Sequence, residues 1–139
     1  MIAFRCYASP GEDGELQSWY EKQLPRVQAA VVAVIEALSH RQRSHWRRKA
    51  YAELKGGLCT GLGEIRIEEP KGVHHRIFGF FTEDGLEFTV LYAFAKDADP
   101  DYLMACPEAQ RRRRDIERDR SFIGGSRFPR AAGRGGRTG

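Results

Sequence analysis

The sequence predicts a small α+β domain. Three observations carry this. A strand-like alternation opens the chain, a long stretch of helical spacing follows it, and from Gly63 onward the period changes to two before a second helical segment. At 139 residues a single domain is the default. Hydrophobic residues make up 41% and charged residues 30%, so the core is small for the chain length.

Each element has a local reason. Residues 2–8 set Ile2, Phe4, Cys6 and Ala8 against Ala3, Arg5 and Tyr7, and Ser9-Pro10-Gly11 ends the run as a strand. Over 12–39, Leu16, Tyr20, Leu24, Val27, Val31, Val34 and Leu38 recur at helical spacing, and Pro25 kinks or splits that helix. Residues 44–55 read as a further helix, capped by Ser44 and stopped by Gly56-Gly57. Ile65 and Ile67 then alternate with Glu64, Arg66 and Glu68. Pro70-Lys71-Gly72 is a turn, 74–82 a strand, and Glu83-Asp84-Gly85 a hairpin signal. Strand 86–95 carries Phe88, Val90, Tyr92 and Phe94 on one face and Thr89, Leu91 and Ala93 on the other, as a central strand would. After Asp99-Pro100 a polar helix runs to about Arg118. The order is strand, helix, helix, three-strand antiparallel meander, helix. Residues 1–118 form the domain, and 119–139, rich in Gly and Arg, read as a disordered tail.

Charge is segregated. Residues 40–56 hold six basic side chains against Glu53 alone, and 111–118 hold five against Asp115 and Glu117. A polyanion could use both stretches if the fold brings them together. Solvated helix faces are the plainer reading of such runs. Cys6, Cys59 and Cys106 are odd in number and far apart, with no C-x-x-C pair, which argues against a disulfide framework and for a reducing, cytoplasmic setting. The first residues lack a signal-peptide layout, and Ala29 to Ile35, the longest apolar stretch, is too short to span a bilayer, so no membrane role is expected.

Familiar catalytic motifs are missing. Gly56 to Gly63 is glycine-rich without the lysine of a phosphate loop. No His, Cys and Asp set has metal-ligand spacing, so neither metal nor cofactor is expected. What remains is a set of strand cations: Arg66, Arg76 and Lys96, one on each strand of the meander. If they converge, they suit a phosphate whose charge grows in a transition state. They could equally pair with Glu64, Glu68 and Asp97 as ordinary solvent-facing cations.

Four pieces in order carry a resemblance: Leu54-Lys55, Gly61-Leu62-Gly63-Glu64-Ile65-Arg66, Arg76-Ile77-Phe78-Gly79-Phe80-Phe81 and Leu91-Tyr92-Ala93-Phe94-Ala95-Lys96. Together with segment 15–38, carrying Trp19-Tyr20, and the helix after Pro100, they resemble the RelE/HigB toxin superfamily in its phage-derived HigB-like branch. The resemblance covers about 2–118 and not the tail. It implies a small antiparallel sheet with helices packed on one face. It also implies the toxin of a type II toxin–antitoxin system, a metal-independent endoribonuclease that cuts mRNA on the ribosome and inhibits translation. The 2′-hydroxyl would attack its own 3′ phosphate. By the same resemblance Arg66 and Arg76 stabilise the phosphorane, Lys96 and Lys55 position phosphate or assist proton transfer, and Arg47, Arg48, Lys49, Arg111 and Arg112 hold ribosomal RNA. The implied partners are the ribosome, mRNA and a cognate antitoxin of helix-turn-helix type. Where relatives commonly follow a phenylalanine and one further residue with two lysines, this chain has Phe94-Ala95-Lys96-Asp97. Tyr92, Tyr102, His74 and His75 are the candidates for acid or base. Two other functions fit the same residues: a ParE-type gyrase poison of the same fold, and a non-catalytic RNA-binding module.

Overall fold

The N-terminal alternation becomes β1 (Ala3–Cys6), with Phe4 and Cys6 buried. The chain then enters α1 (Glu15–Glu21) through Gly14, at φ 90°, where an added Cβ would lie 2.8 Å from that of Ala8. Pro25 splits the helical stripe and opens α2 (Pro25–Ser39) at its first turn, where a missing amide hydrogen costs nothing. The computed structural model describes residues 1–12, 14–47, 49–69, 72–82, 84–96 and 101–130. Arg48, Pro70-Lys71, Glu83, Asp97, Asp99-Pro100 and 131–139 lie outside the described residues.

No helix forms over 44–55. A single 3-10 turn at Arg43–His45 leads into β2 (Tyr51–Glu53), which pairs with β3 (Gly63–Ile67) through Tyr51–Ile65, Ala52–Glu64 and Glu53–Gly63. Two side chains override the helical pattern. Trp46 is buried with its Nε1 donating to the Leu38 carbonyl at 2.9 Å, and Tyr51 packs beside it. A continuous helix could not hold both against the same strands while the backbone also pairs.

β4 (His75–Phe81) and β5 (Glu87–Ala95) complete the expected meander. Among the described residues the sheet has five strands in the order β1-β5-β4-β3-β2. It is mixed rather than antiparallel. The α1–α2 connection, β2 and the meander intervene between β1 and β5, and β1 lies parallel beside β5, with Phe4 opposite Phe88 and Cys6 opposite Val90.

A bulge alters the face assignment of β5. Gly79 pairs with Val90 but Phe78 pairs with Tyr92, so Leu91 is an extra residue and the alternation inverts there. Phe88 and Val90 therefore share a side with Phe4, whereas Tyr92 and Phe94 share the other with Phe78. Gly79 is the residue that permits this, because a Cβ there would sit 2.5 Å from the Phe88 ring and 2.4 Å from the Thr89 carbonyl oxygen. The sequence reading, which put all four on one face, is corrected accordingly.

The helices do not share one face either. Phe4, Trp46, Tyr51, Phe81 and Phe88 form an aromatic cluster with α2 packed at its side through Val31, Ile35 and Leu38. α3 (Asp101–Arg118) covers the opposite face, where Tyr102 meets Phe78 and Phe94 edge to face. The two sides are called the aromatic face and the arginine face below.

Two further expectations change. Residues 119–130 are packed rather than disordered. Ile123 bridges Tyr7, the Phe128 amide donates to the Phe4 carbonyl at 3.0 Å, and Phe128 is buried against Tyr20. Phe122, Ile123 and Phe128 give this stretch an apolar side that a Gly/Arg-rich composition obscures. Cys59 and Cys106 form a disulfide, because α3 lies over the glycine-rich turn. There Gln110 Nε2 donates to the carbonyls of Leu58 and Thr60, and Arg113 donates to that of Gly61. Cys6 is buried and takes no part in that bond. The cysteine count thus loses its force as a sign of a reducing compartment. Among the described residues, no helix is long and apolar enough to cross a membrane.

The disulfide joins residues 47 apart. Opening it with a dithiol, or by Cys59→Ser, is expected to lower the unfolding free energy by about 2–4 kcal/mol, since the unfolded chain regains the freedom of the loop. Urea midpoints with and without reductant measure this, and an unchanged midpoint contradicts a structural role for the bond.

Candidate functional site

The arginine face holds a polar cluster at one end of β3 and β4. Arg66 and Arg76 are direct cross-strand partners and so present their side chains to the same side. Between them and the floor of the sheet lies Glu64, only 1% exposed. Arg66 Nε donates to Glu64 Oε1 at 3.0 Å, and Arg76 Nε is 3.7 Å from Oε2. Tyr102, reaching down from α3, donates its hydroxyl to the same Oε2. Arg76 also donates to Glu68 Oε2 at 2.8 Å and to the His75 carbonyl at 3.1 Å. The other Glu68 oxygen is 2.9 Å from His74 Nδ1. Phe78, Phe94 and Tyr102 wall the cluster with mutual edge-to-face contacts.

Exposure grades this cluster. Glu64 and Arg76 are buried, Arg66 is about one-third exposed, and Glu68 and His74 are nearly half exposed. The charges are closely matched before any ligand arrives, two guanidiniums facing two carboxylates. An incoming phosphate must therefore displace Glu68 from Arg76, which its exposed position permits.

Lys96 stands at the same end. Its amide donates to the His74 carbonyl at 2.7 Å, which continues the β4–β5 ladder past Ala95, and its side chain is exposed. Lys55 is not brought there. It is exposed beyond Glu53, whose partner Gly63 begins β3, on the order of 10 Å from Arg66 along the strand. Of the expected RNA contacts, Arg47 and Lys49 are exposed on the loop after α2. Arg111 is half exposed and clasped by Glu108 and Asp115. Arg112 is no surface residue. It is 6% exposed, bonded to Glu15, Glu108 and the Leu91 carbonyl, and sandwiched over the Tyr7 and Tyr92 rings. Its donors are engaged in holding α3 to the sheet, and Tyr92 belongs to that packing.

The sequence reading left out Glu64 as a site residue, since a strand glutamate flanked by isoleucines and arginines looks solvent-facing. Its partners are set by cross-strand register, which local spacing does not show. Arg43 and Arg113, one from each basic stretch, meet at a groove of about 860 Å³ at the far end of β4, lined also by Phe80, Phe81 and Arg120. Among the described residues, no group of three or more His, Cys, Asp or Glu is placed to hold a metal ion. Comparison with protein-family models and with curated proteins finds no match to this chain.

Tyr102 acts as a proton donor here and is no base at neutral pH. Burial, and then the Glu64 carboxylate, pushes its phenol up to about 12. Tyr51 is likewise pushed up to about 12, by burial and then by Glu53. Both exceed the ordinary value near 10, so the folded state holds these protons more tightly than the unfolded state does. Their contribution to stability is complete below about pH 10 and is lost as pH rises toward 12. Tyr102→Phe should fold and should lose stability less steeply than the parent over that range. Parallel urea-midpoint curves for the two proteins would contradict the Tyr102–Glu64 bond.

Proposed function

We propose that this chain cleaves RNA by internal transfer on the arginine face. The 2′-oxygen of one nucleotide attacks its own 3′ phosphorus and the 5′-oxygen of the next nucleotide leaves. The products are a 2′,3′-cyclic phosphate and a 5′-hydroxyl end. The observation that carries the reading is the cross-strand Arg66–Arg76 pair held on one buried carboxylate. Two guanidiniums fixed side by side present planar donors to the non-bridging oxygens as charge builds there. His74, held by Glu68 and nearly half exposed, is the imidazole placed beside the arginines to move the proton. Lys96, its neighbour in the ladder, adds charge at the mouth. Glu64 and Tyr102 touch no substrate and position the arginines.

The resemblance to RelE/HigB toxins extends this reading to a setting: mRNA on translating ribosomes as substrate, translation arrest as the effect, the bacterial cytoplasm as the place, and a cognate antitoxin as the restraint. In that compartment the Cys59–Cys106 bond is open to reduction. A non-catalytic RNA-binding module is the second reading, favoured by one observation: both carboxylates of the cluster already engage Arg76.

The test supplies purified protein to translating ribosomes and maps mRNA 5′ ends. New 5′-hydroxyl ends should appear, and Arg66→Ala should reduce their rate by at least about 100-fold, the usual cost of removing one such donor. Arg66 is the residue to change first, because it is about one-third exposed and water can take over its bond to Glu64, whereas Arg76 is buried. RNA bound but uncut supports the module. Gyrase inhibition without new ends moves the assignment to the ParE-type sibling.

A further inference from the structure

The aromatic face ends in a row of ring contacts, one stacked and one tilted at 59°, capped by an arginine. Phe4 stacks on Trp46 at 5.6 Å and 14°, Trp46 meets Phe81 at 4.7 Å, and the Arg43 guanidinium lies 4.4 Å over the Phe81 ring. One face of that guanidinium is covered by Phe81, while the Arg43 side chain remains half exposed. Among the described residues its ion-pair partner is Glu53, 4.0 Å away and itself mostly exposed, so the pairing is loose. Arg43, Trp46, Arg47, Tyr51, Glu53 and Phe81 line a cavity of about 630 Å³. Around it Arg41, Arg47 and Lys49 are exposed on the same loop. The cavity thus joins an apolar, aromatic wall to a cationic rim, on the side of the sheet away from Arg66 and Arg76.

We infer that this cavity is a binding subsite for one nucleotide of single-stranded RNA, with the base stacked on the outer face of the Arg43 guanidinium and its phosphate at Arg47. The base would cover the face of the guanidinium that Phe81 leaves open, as unstacked bases do on planar guanidiniums. A duplex cannot use the site, since its bases are already stacked, and a bare phosphate gains nothing from that face. The inference rests on RNA being the ligand of this protein. It assigns a binding role to a place remote from the cleavage cluster.

The experiment uses Trp19→Phe, which leaves Trp46 as the one tryptophan of the chain. The probe is a short 2′-O-methyl RNA, which cannot undergo internal transfer, beside an abasic backbone of equal length. Trp46 emission should change saturably with the RNA, and the abasic probe should bind at least about fivefold more weakly. Labelled-probe anisotropy should show a similar loss in Arg43→Ala. Arg43→Lys should not restore affinity, because an ammonium keeps the charge but has no planar face. Equal affinity for the two probes, full rescue by lysine, or a silent Trp46 overturns the subsite. Because the probe is uncleavable, failure here leaves the cleavage reading intact, and failure of cleavage leaves this measurement valid.

Discussion

Glu64 is the second residue of β3, with 1% of its surface exposed, and a carboxylate at that depth is tolerated only when its lone pairs are met by donors. Arg66 from its own strand and Tyr102 from α3 donate to it, and the Arg76 guanidinium of the neighbouring strand lies 3.7 Å away as an ion pair. The register of β3 on β4, the seat of the first turns of α3 and the orientation of both arginines are therefore linked through one side chain. The three side chains are therefore coupled through the same carboxylate.

The bulge at Gly79 divides the sheet into two working surfaces. Before it, β4 and β5 present Arg76, Phe78, Tyr92 and Phe94 to α3; after it, Phe81 and Phe88 turn to Trp46 and the aromatic cluster. A polar cluster and an aromatic cluster can then occupy opposite faces and opposite ends of the five described strands. α3 serves both ends. It carries Tyr102 at its start and, two turns and more along, Arg112, buried under the Tyr7 and Tyr92 rings, and Arg113 over Phe80.

The elements with strong local periodicity were legible in the sequence: β1, the pair of helices split at Pro25, the three strands of the meander and α3. Elements decided by distant contacts were not. Residues 44–55 carry a helical pattern, yet Trp46 and Tyr51 are drawn into the aromatic cluster and Tyr51–Glu53 pairs with β3. The parallel placement of β1 and the packing of 119–130 likewise depend on partners more than eighty residues away. In the candidate site, Arg66 and Arg76 were legible because alternation fixes the side each strand residue faces, and Lys96 because it continues the ladder. Lys55 and Arg112 read as equivalent cations in the sequence, and only three-dimensional placement separates an exposed lysine at the far end of β3 from an arginine enclosed between two rings. The Cys59–Cys106 bond was hidden for the same reason, since α3 crosses the glycine-rich turn only in the folded sheet.

The central claim is that Glu64 and Arg76 form one coupled unit beneath the arginine face, and a double-mutant cycle in urea tests it directly. Glu64→Gln and Arg76→Met should each lower stability by about 3 kcal/mol, because each strands a buried charge or a buried polar group. The double variant strands neither, and it should be less destabilised than the sum of the two by at least about 1 kcal/mol. Additivity within about 0.5 kcal/mol would mean that the two side chains act independently, and the account of the site built on their pairing would fail.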